Sequence, residues 1–226
     1  TILKIPSVKS SKASLGTAVH TTLSYLHQNP KSTLKKLTEV LEFSLKQENL
    51  IEKDHKEMFS LGLDILKKYL VDHPHLSGIY KLEQNFTSHQ LFFEGIPITG
   101  KIDKIEVLKT KTHGKKDIIV TDFKTGKFNY TKIASKFDHT GGDYFRQILF
   151  YKLLIDLSPK LNYHFQKGQI EFVEPDPKND KFTRVINFSD QDMDNLKSLI
   201  KGTYQNIIDL KFPINPDCKN RDHLHQ

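Results

Sequence analysis

The sequence predicts an α/β or α+β domain: helices first, then a mixed sheet with an embedded helix, then a closing helix. Three observations predict it. Over roughly the first 75 positions, apolar residues recur at helical spacing. From Gly78, short runs rich in β-branched and aromatic residues alternate with turn residues. Two later stretches, 143–157 and 189–210, return to the helical period. No internal repeat and no Pro- or Gly-rich linker divides the 226 residues. One domain, 1–226, is therefore expected. Within it, 1–77 form a helical subregion, 78–188 the sheet with its helix, and 189–226 the closing helix and tail.

Each element has a local reason. A helix covers 15–26. Leu34, Leu37, Leu41 and Leu45 share one face of a second, and Ile51, His55, Met58, Phe59, Gly62, Ile65, Leu66 and Tyr69 do so on a third. IYKLEQNF, QLFFEGIPI, GKIDKIEVL and KDIIVTDFK read as strands, with a Lys-rich hairpin tip at 109–116. A loop is expected at 126–142, where periodicity fails. DYFRQILFYKLLIDL is a helix, with Tyr144, Ile148, Tyr151 and Ile155 on one stripe. NYHFQKGQIEFVE and KFTRVINF are strands around a polar turn. Ser189 caps the final helix, with Asp192 three residues on.

Composition excludes several classes. With 37% hydrophobic and 10% aromatic residues, the chain can bury a core and is not a disordered polymer. Thirty-four Lys and Arg against 27 Asp and Glu leave a net charge of +7, which favours a polyanionic partner. A single cysteine, Cys218, rules out an internal disulfide framework. No apolar run approaches the ~20 residues of a spanning helix, and no signal-peptide core opens the chain, so a reducing, cytoplasmic setting without membrane contact is expected. In that setting the sequons at Asn85, Asn129 and Asn187 carry no meaning. The first residue is Thr, so a fragment of a longer chain is expected.

The chemistry concentrates between Gly100 and Tyr151. On a strand, residues two apart share a face. Asp122 and Lys124 thus emerge side by side where IIVTDFK ends, at the edge where open α/β sheets place ligand crevices. Asp103 reads as late in its own β-rich segment. If the two segments are neighbouring strands, Asp103 and Asp122 converge, and converging carboxylates call for a cation. Oxygen ligands select a hard ion such as Mg²⁺ or Mn²⁺. A lysine beside it can orient or deprotonate a water and offset developing phosphorane charge. Taken singly these residues are bland: His20 reads as a surface or core histidine, Tyr151 as core, Gln147 as solvent-facing, and D-x-K as a surface ion pair. Glu83 reads either as an acid supporting the ligands or as an exposed strand glutamate.

Four motifs stand in order: GTAVH at 16–20, GKID at 100–103, DFKTG at 122–126 and RQILFY at 146–151. This set resembles the PD-(D/E)xK nuclease superfamily, in particular the RecB-type nuclease domain found at the C-termini of UvrD/Rep-like helicases and in AddA/AddB proteins. The resemblance implies a restriction-endonuclease-like fold: a mixed central sheet flanked by helices. It implies a metal-dependent deoxyribonuclease serving DNA repair or recombination, with helicase domains of the same parent chain or a helicase subunit as partner, in a bacterial cytoplasm or nucleoid. It implies His20, Asp103 and Asp122 as ligands to Mg²⁺ or Mn²⁺ and Lys124 as the catalytic lysine. Gln147 and Tyr151, four apart on a helix, would buttress the site or touch the DNA backbone. A catalytically silent DNA-binding module is the alternative, although no motif residue is lost.

Lys104 and the segment 127–146, with Lys127, Tyr130, Lys132, Lys136, Phe137, Tyr144 and Arg146, read as a track for single-stranded or frayed DNA, pairing backbone charge with stacking. Being Lys-rich, it should read little sequence and depend strongly on salt. One departure from the family stands out. Many of its members bind a 4Fe–4S cluster through four cysteines, and here Arg221 stands where a partner of Cys218 would fall. No cluster can form within this chain. Cys218 with His223 and His225 falls short of the four ligands that a structural zinc site takes.

Overall fold

The computed structural model describes residues 9–73, 76, 78–126, 128–133, 141–172 and 182–211. Three helices come first: α1 (Ser11–Gln28), α2 (Leu34–Lys46) and α3 (Glu52–Asp72). Ser10 caps α1 and Thr33 caps α2, each side chain accepting from a backbone N–H of the first turn. Most of each expected stripe is buried, with Leu37, Leu41 and Leu45 on α2 and Met58, Leu66 and Tyr69 on α3, whereas Leu34 and Ile51, at the starts of these stripes, are exposed. Together with Leu15, Val19 and Leu23 of α1 the buried residues form one hydrophobic core, to which the sheet contributes Phe123.

The sheet has five strands in the order β1 (Ile79–Asn85), β4 (Lys101–Thr112), β5 (Lys115–Lys124), β6 (Tyr163–Phe172), β7 (Thr183–Ile186). The β5–β6 pair is parallel and the others are antiparallel. Between β5 and β6 the chain makes the short helix α4 (Tyr130–Ile133) and then α5 (Asp143–Leu157), the crossover that a parallel pair requires. α5 covers the opposite face from α1–α3. There Ile148, Leu149, Leu153 and Leu154 pack on Ile102, Ile118, Val120 and Ile170 in a second core. α6 (Asp190–Ile208) closes the fold with the expected capping box between Ser189 and Asp192. This is a mixed sheet between helices, consistent with the restriction-endonuclease-like fold. None of these helices is long and apolar enough to cross a membrane.

Two expectations are corrected. QLFFEGIPI is not one strand but a hairpin, β2 (Leu91–Phe93) and β3 (Ile96–Ile98), in a sheet of its own. Its two-residue turn, Glu94–Gly95, has φ of +48° and +83°, the doubly left-handed turn that matches strand twist. Leu91, Phe93 and Ile98 face the core. The loop at 126–142 carries a helical turn, α4.

Candidate active site

The site lies where β4 and β5 part. Their recorded pairing runs to Lys104–Thr121 at this end. Beyond it, Asp103 Oδ2 takes the place of a ladder acceptor and receives Phe123 N–H at 2.9 Å. Asp103 is therefore the third residue of β4, not late in its strand as expected. It meets Asp122 because the strands are antiparallel and the start of one lies beside the end of the other.

Asp122 and Lys124 share a face, and Lys124 Nζ lies 2.7 Å from Asp122 Oδ2. Asp122 is buried. Its Oδ1 accepts from Gln147 Nε2 at 2.7 Å and from the Tyr151 hydroxyl at 2.8 Å. Gln147 Oε1 accepts from Lys124 Nζ at 2.8 Å, which closes the ring. The Lys124 ammonium is thus the ion-pair partner of Oδ2. Burial first, then the charge of Asp103, push the Asp122 carboxyl up, while Lys124 and Tyr151 oppose the rise. Tyr151 is buried, and burial raises its hydroxyl's pKa.

α1 brings His20. A Cβ at Gly16 would stand 3.1 Å from Thr125 Oγ1, so glycine lets the helix lie against the turn after β5. One turn on, His20 Nδ1 reaches to 3.5 Å from Asp103 Oδ2. Burial works against its protonation. The hydrogen bond and charge of Asp103, then the charges of Asp122 and Glu83, outweigh it and raise its pKa.

Glu83 is the residue that sequence reasoning undervalued. It sits between the pairs Leu82–Lys104 and Gln84–Ile102 of the β1–β4 ladder, yet its φ is +53°. A left-handed non-glycine residue costs of order 1–3 kcal/mol. No local signal in KLEQNF announces it. Ligand atoms of His20, Glu83 and Asp103 all lie within 4.8 Å of one another. Opposite ligands on an Mg²⁺ at ~2.1 Å stand about 4.2 Å apart. The trio could therefore close on a divalent ion with small adjustments, its carboxylate oxygens suiting a hard cation. Asp122 stands outside this trio but is close enough for its charge to be felt at His20. Glu83 also pairs with Lys101. That pair is half exposed, a class contributing about 0–1 kcal/mol. A cleft of about 400 Å³ opens here, lined by Lys12, Gly16, Thr17, His20, Lys101 and Thr125, with Glu83 on its wall.

The expected nucleic-acid contacts divide. Lys132 is exposed, and its Nζ lies 5.3 Å from the Tyr144 ring centroid, with Lys124 Nζ at 4.6 Å from the same ring. Arg146 donates to Gly141 O and to Asp143 Oδ1, both at 2.6 Å, and so anchors the entry to α5. Lys104 is buried on the helical side with Glu171 at 3.1 Å, not free for phosphate as its sequence position suggested. Lys127, Lys136, Phe137, Cys218 and the side chain of Tyr130 lie outside the described residues.

No curated protein matches the chain. Among solved structures, it is similar to one described as the crystal structure of SSO0001, at 14% identity and a TM-score of 0.32, over 84% of this chain and 74% of that one. The model of the PD-(D/E)XK nuclease superfamily matches residues 1–221. That match spans every element described above, and the chain belongs to the PD-(D/E)XK nuclease superfamily.

Proposed function

We propose that the chain is a divalent-metal-dependent deoxyribonuclease of the RecB type, the nuclease part of a UvrD/Rep-type helicase acting in DNA repair or recombination. The observation that carries this reading is the meeting of His20, Asp103, Asp122 and Lys124 at one end of the sheet. Helicase association rests on the resemblance of the four ordered motifs to that subfamily.

In this reading His20, Asp103, Asp122 and Glu83 hold Mg²⁺ or Mn²⁺. Such an ion, when bound, supplies Lewis acidity toward a phosphoryl oxygen and a more acidic water. The rest falls to the chain's own groups. Lys124, held by Asp122 and Gln147, presents an ammonium where negative charge develops on the phosphorus oxygens. Gln147 and Tyr151 keep the Asp122 carboxylate from turning. Lys132, with Lys127, Tyr130 and Lys136, tracks a DNA strand by point charges and stacking.

The test is cleavage of end-labelled single- and double-stranded DNA with Mg²⁺, Mn²⁺ or EDTA, comparing the chain with Asp122→Ala. Metal-dependent cleavage that the variant loses is the expected result. Absence of cleavage together with absence of any Mn²⁺-induced thermal shift would overturn it.

A further inference from the structure

Each carboxylate at this end of the sheet already has a cation. Asp122 has Lys124, Asp103 has His20, and Glu83 has Lys101. A dication brings two positive charges and so can replace two of these three cations, which are not held alike. Lys124 is tied by Asp122, Gln147 and the Tyr144 ring. His20 is itself a candidate ligand. Lys101 is 55% exposed, and Glu83 is its ion-pair partner. A solvent-screened pair is the one most readily given up. Both side chains line the 400 Å³ cleft, beside Lys12 and Thr17.

We propose that Lys101 is an exchangeable counter-ion: it neutralises Glu83 in the metal-free protein, and when Glu83 turns to a divalent cation its ammonium is released into the cleft to meet a nucleic-acid phosphate. The inference rests on the metal-dependent nuclease reading of this site. Linkage then follows, because metal and nucleic acid compete for opposite partners of one ion pair. Each strengthens the other's binding, and by the same factor. A lysine suits the task, since a flexible point charge needs no fixed geometry to change partner.

The experiment is Mn²⁺ titration of the full chain by calorimetry without nucleic acid, for the wild type, Lys101→Met, Glu83→Gln and Asp103→Asn. Lys101→Met should bind Mn²⁺ about fivefold more tightly, the factor to which loss of a weak competing pair converts. Glu83→Gln should bind about tenfold more weakly or worse. A phosphorothioate single-stranded oligonucleotide, followed by anisotropy, should bind the wild type more tightly with Mn²⁺ than without. That gain should vanish in Lys101→Met. Unchanged or weaker Mn²⁺ binding by Lys101→Met, or a retained gain, overturns the inference. If the wild type binds Mn²⁺ and Asp103→Asn does not, such a result leaves the nuclease reading standing. If the wild type binds no Mn²⁺, the inference falls, and the nuclease reading falls with it where metal-dependent cleavage is absent as well.

Discussion

Lys124 is held by three contacts at once: Asp122 at 2.7 Å, Gln147 at 2.8 Å and the Tyr144 ring at 4.6 Å. A charge fixed in this way needs no reorganisation when charge develops near it, and one preorganised group of this kind is worth about 10²–10³ in rate. Lys124→Met should therefore lower single-turnover cleavage at least about a hundredfold. DNA affinity should change little, because phosphate contacts are spread over many residues. Wild-type rates in purified Lys124→Met would remove the lysine from the chemistry. At this scale the side chains legible in the sequence are those set by short periodicities. Asp122 and Lys124 are two apart on a strand, Gly16 and His20 four apart on a helix, and Gln147 and Tyr151 likewise. Glu83 was legible only as one of two alternatives, Tyr144 only as a member of a basic, aromatic track, and Lys101 not at all, since a left-handed strand residue and a ring near two lysines arise from contacts distant in sequence. Lys104 misled for the same reason: its neighbour in the chain is Asp103, but its partner in space is Glu171.

Among the elements, α5 carries Gln147 and Tyr151, and two glycines let it lie close to the sheet. A Cβ at Gly168 on β6 would stand 2.3 Å from Ile148 Cγ2, and one at Gly100 would stand 2.8 Å from Leu154 Cδ1. Gly168→Ala should cost about 1–3 kcal/mol, as overpacking does. It should also reduce cleavage by lifting Gln147 away from Asp122. Adding Ile148→Ala should restore part of both, which a double-mutant cycle by urea denaturation measures. Strictly additive losses would show that α5 does not rest on that contact. The helices were legible here because apolar stripes at period 3.6 announce them. The β2–β3 hairpin was not, because Glu-Gly is a weaker turn signal than Asn-Gly and the flanking residues read as one apolar run.

Across the whole molecule, a buried polar seam joins the helical core to the sheet. His27 of α1 meets the Tyr69 hydroxyl of α3 at 2.9 Å. His73, just past α3, stacks on Tyr69 and reaches Glu171 of β6 at 3.2 Å, and Lys104 of β4 completes the chain. Burial, then the charge of Lys104, push His27 down to about 3. A histidine kept neutral in the fold takes up its proton only on unfolding, so its stabilisation is full above the unfolded value of 6.5 and falls as pH drops toward 3. Between pH 7 and 5 this amounts to about 2 kcal/mol. His73 runs the other way: the hydrogen bond and charge of Glu171 outweigh its burial and raise it. Its contribution is full below the unfolded value and fades as pH rises. Glu171, buried yet held down to about 2 by His73 and Lys104, loses its contribution only below the unfolded carboxylate range. Denaturation at pH 7 and pH 5 should thus show a drop in His27→Gln smaller than the wild type's by about 2 kcal/mol. Equal drops would remove His27 as the source.

Residue order by itself determined that helices precede a mixed sheet with an embedded helix, and that four spaced motifs belong together. Those properties follow from local period and from ordered residue types, and both are written along the chain. Only the tertiary structure decided that β4 runs antiparallel to β5, which brings the start of one strand beside the end of the other and so sets Asp103 near Asp122. It also decided that Glu83 joins His20 and Asp103, because which carboxylates share a space depends on strand pairing and backbone twist rather than on distance along the sequence.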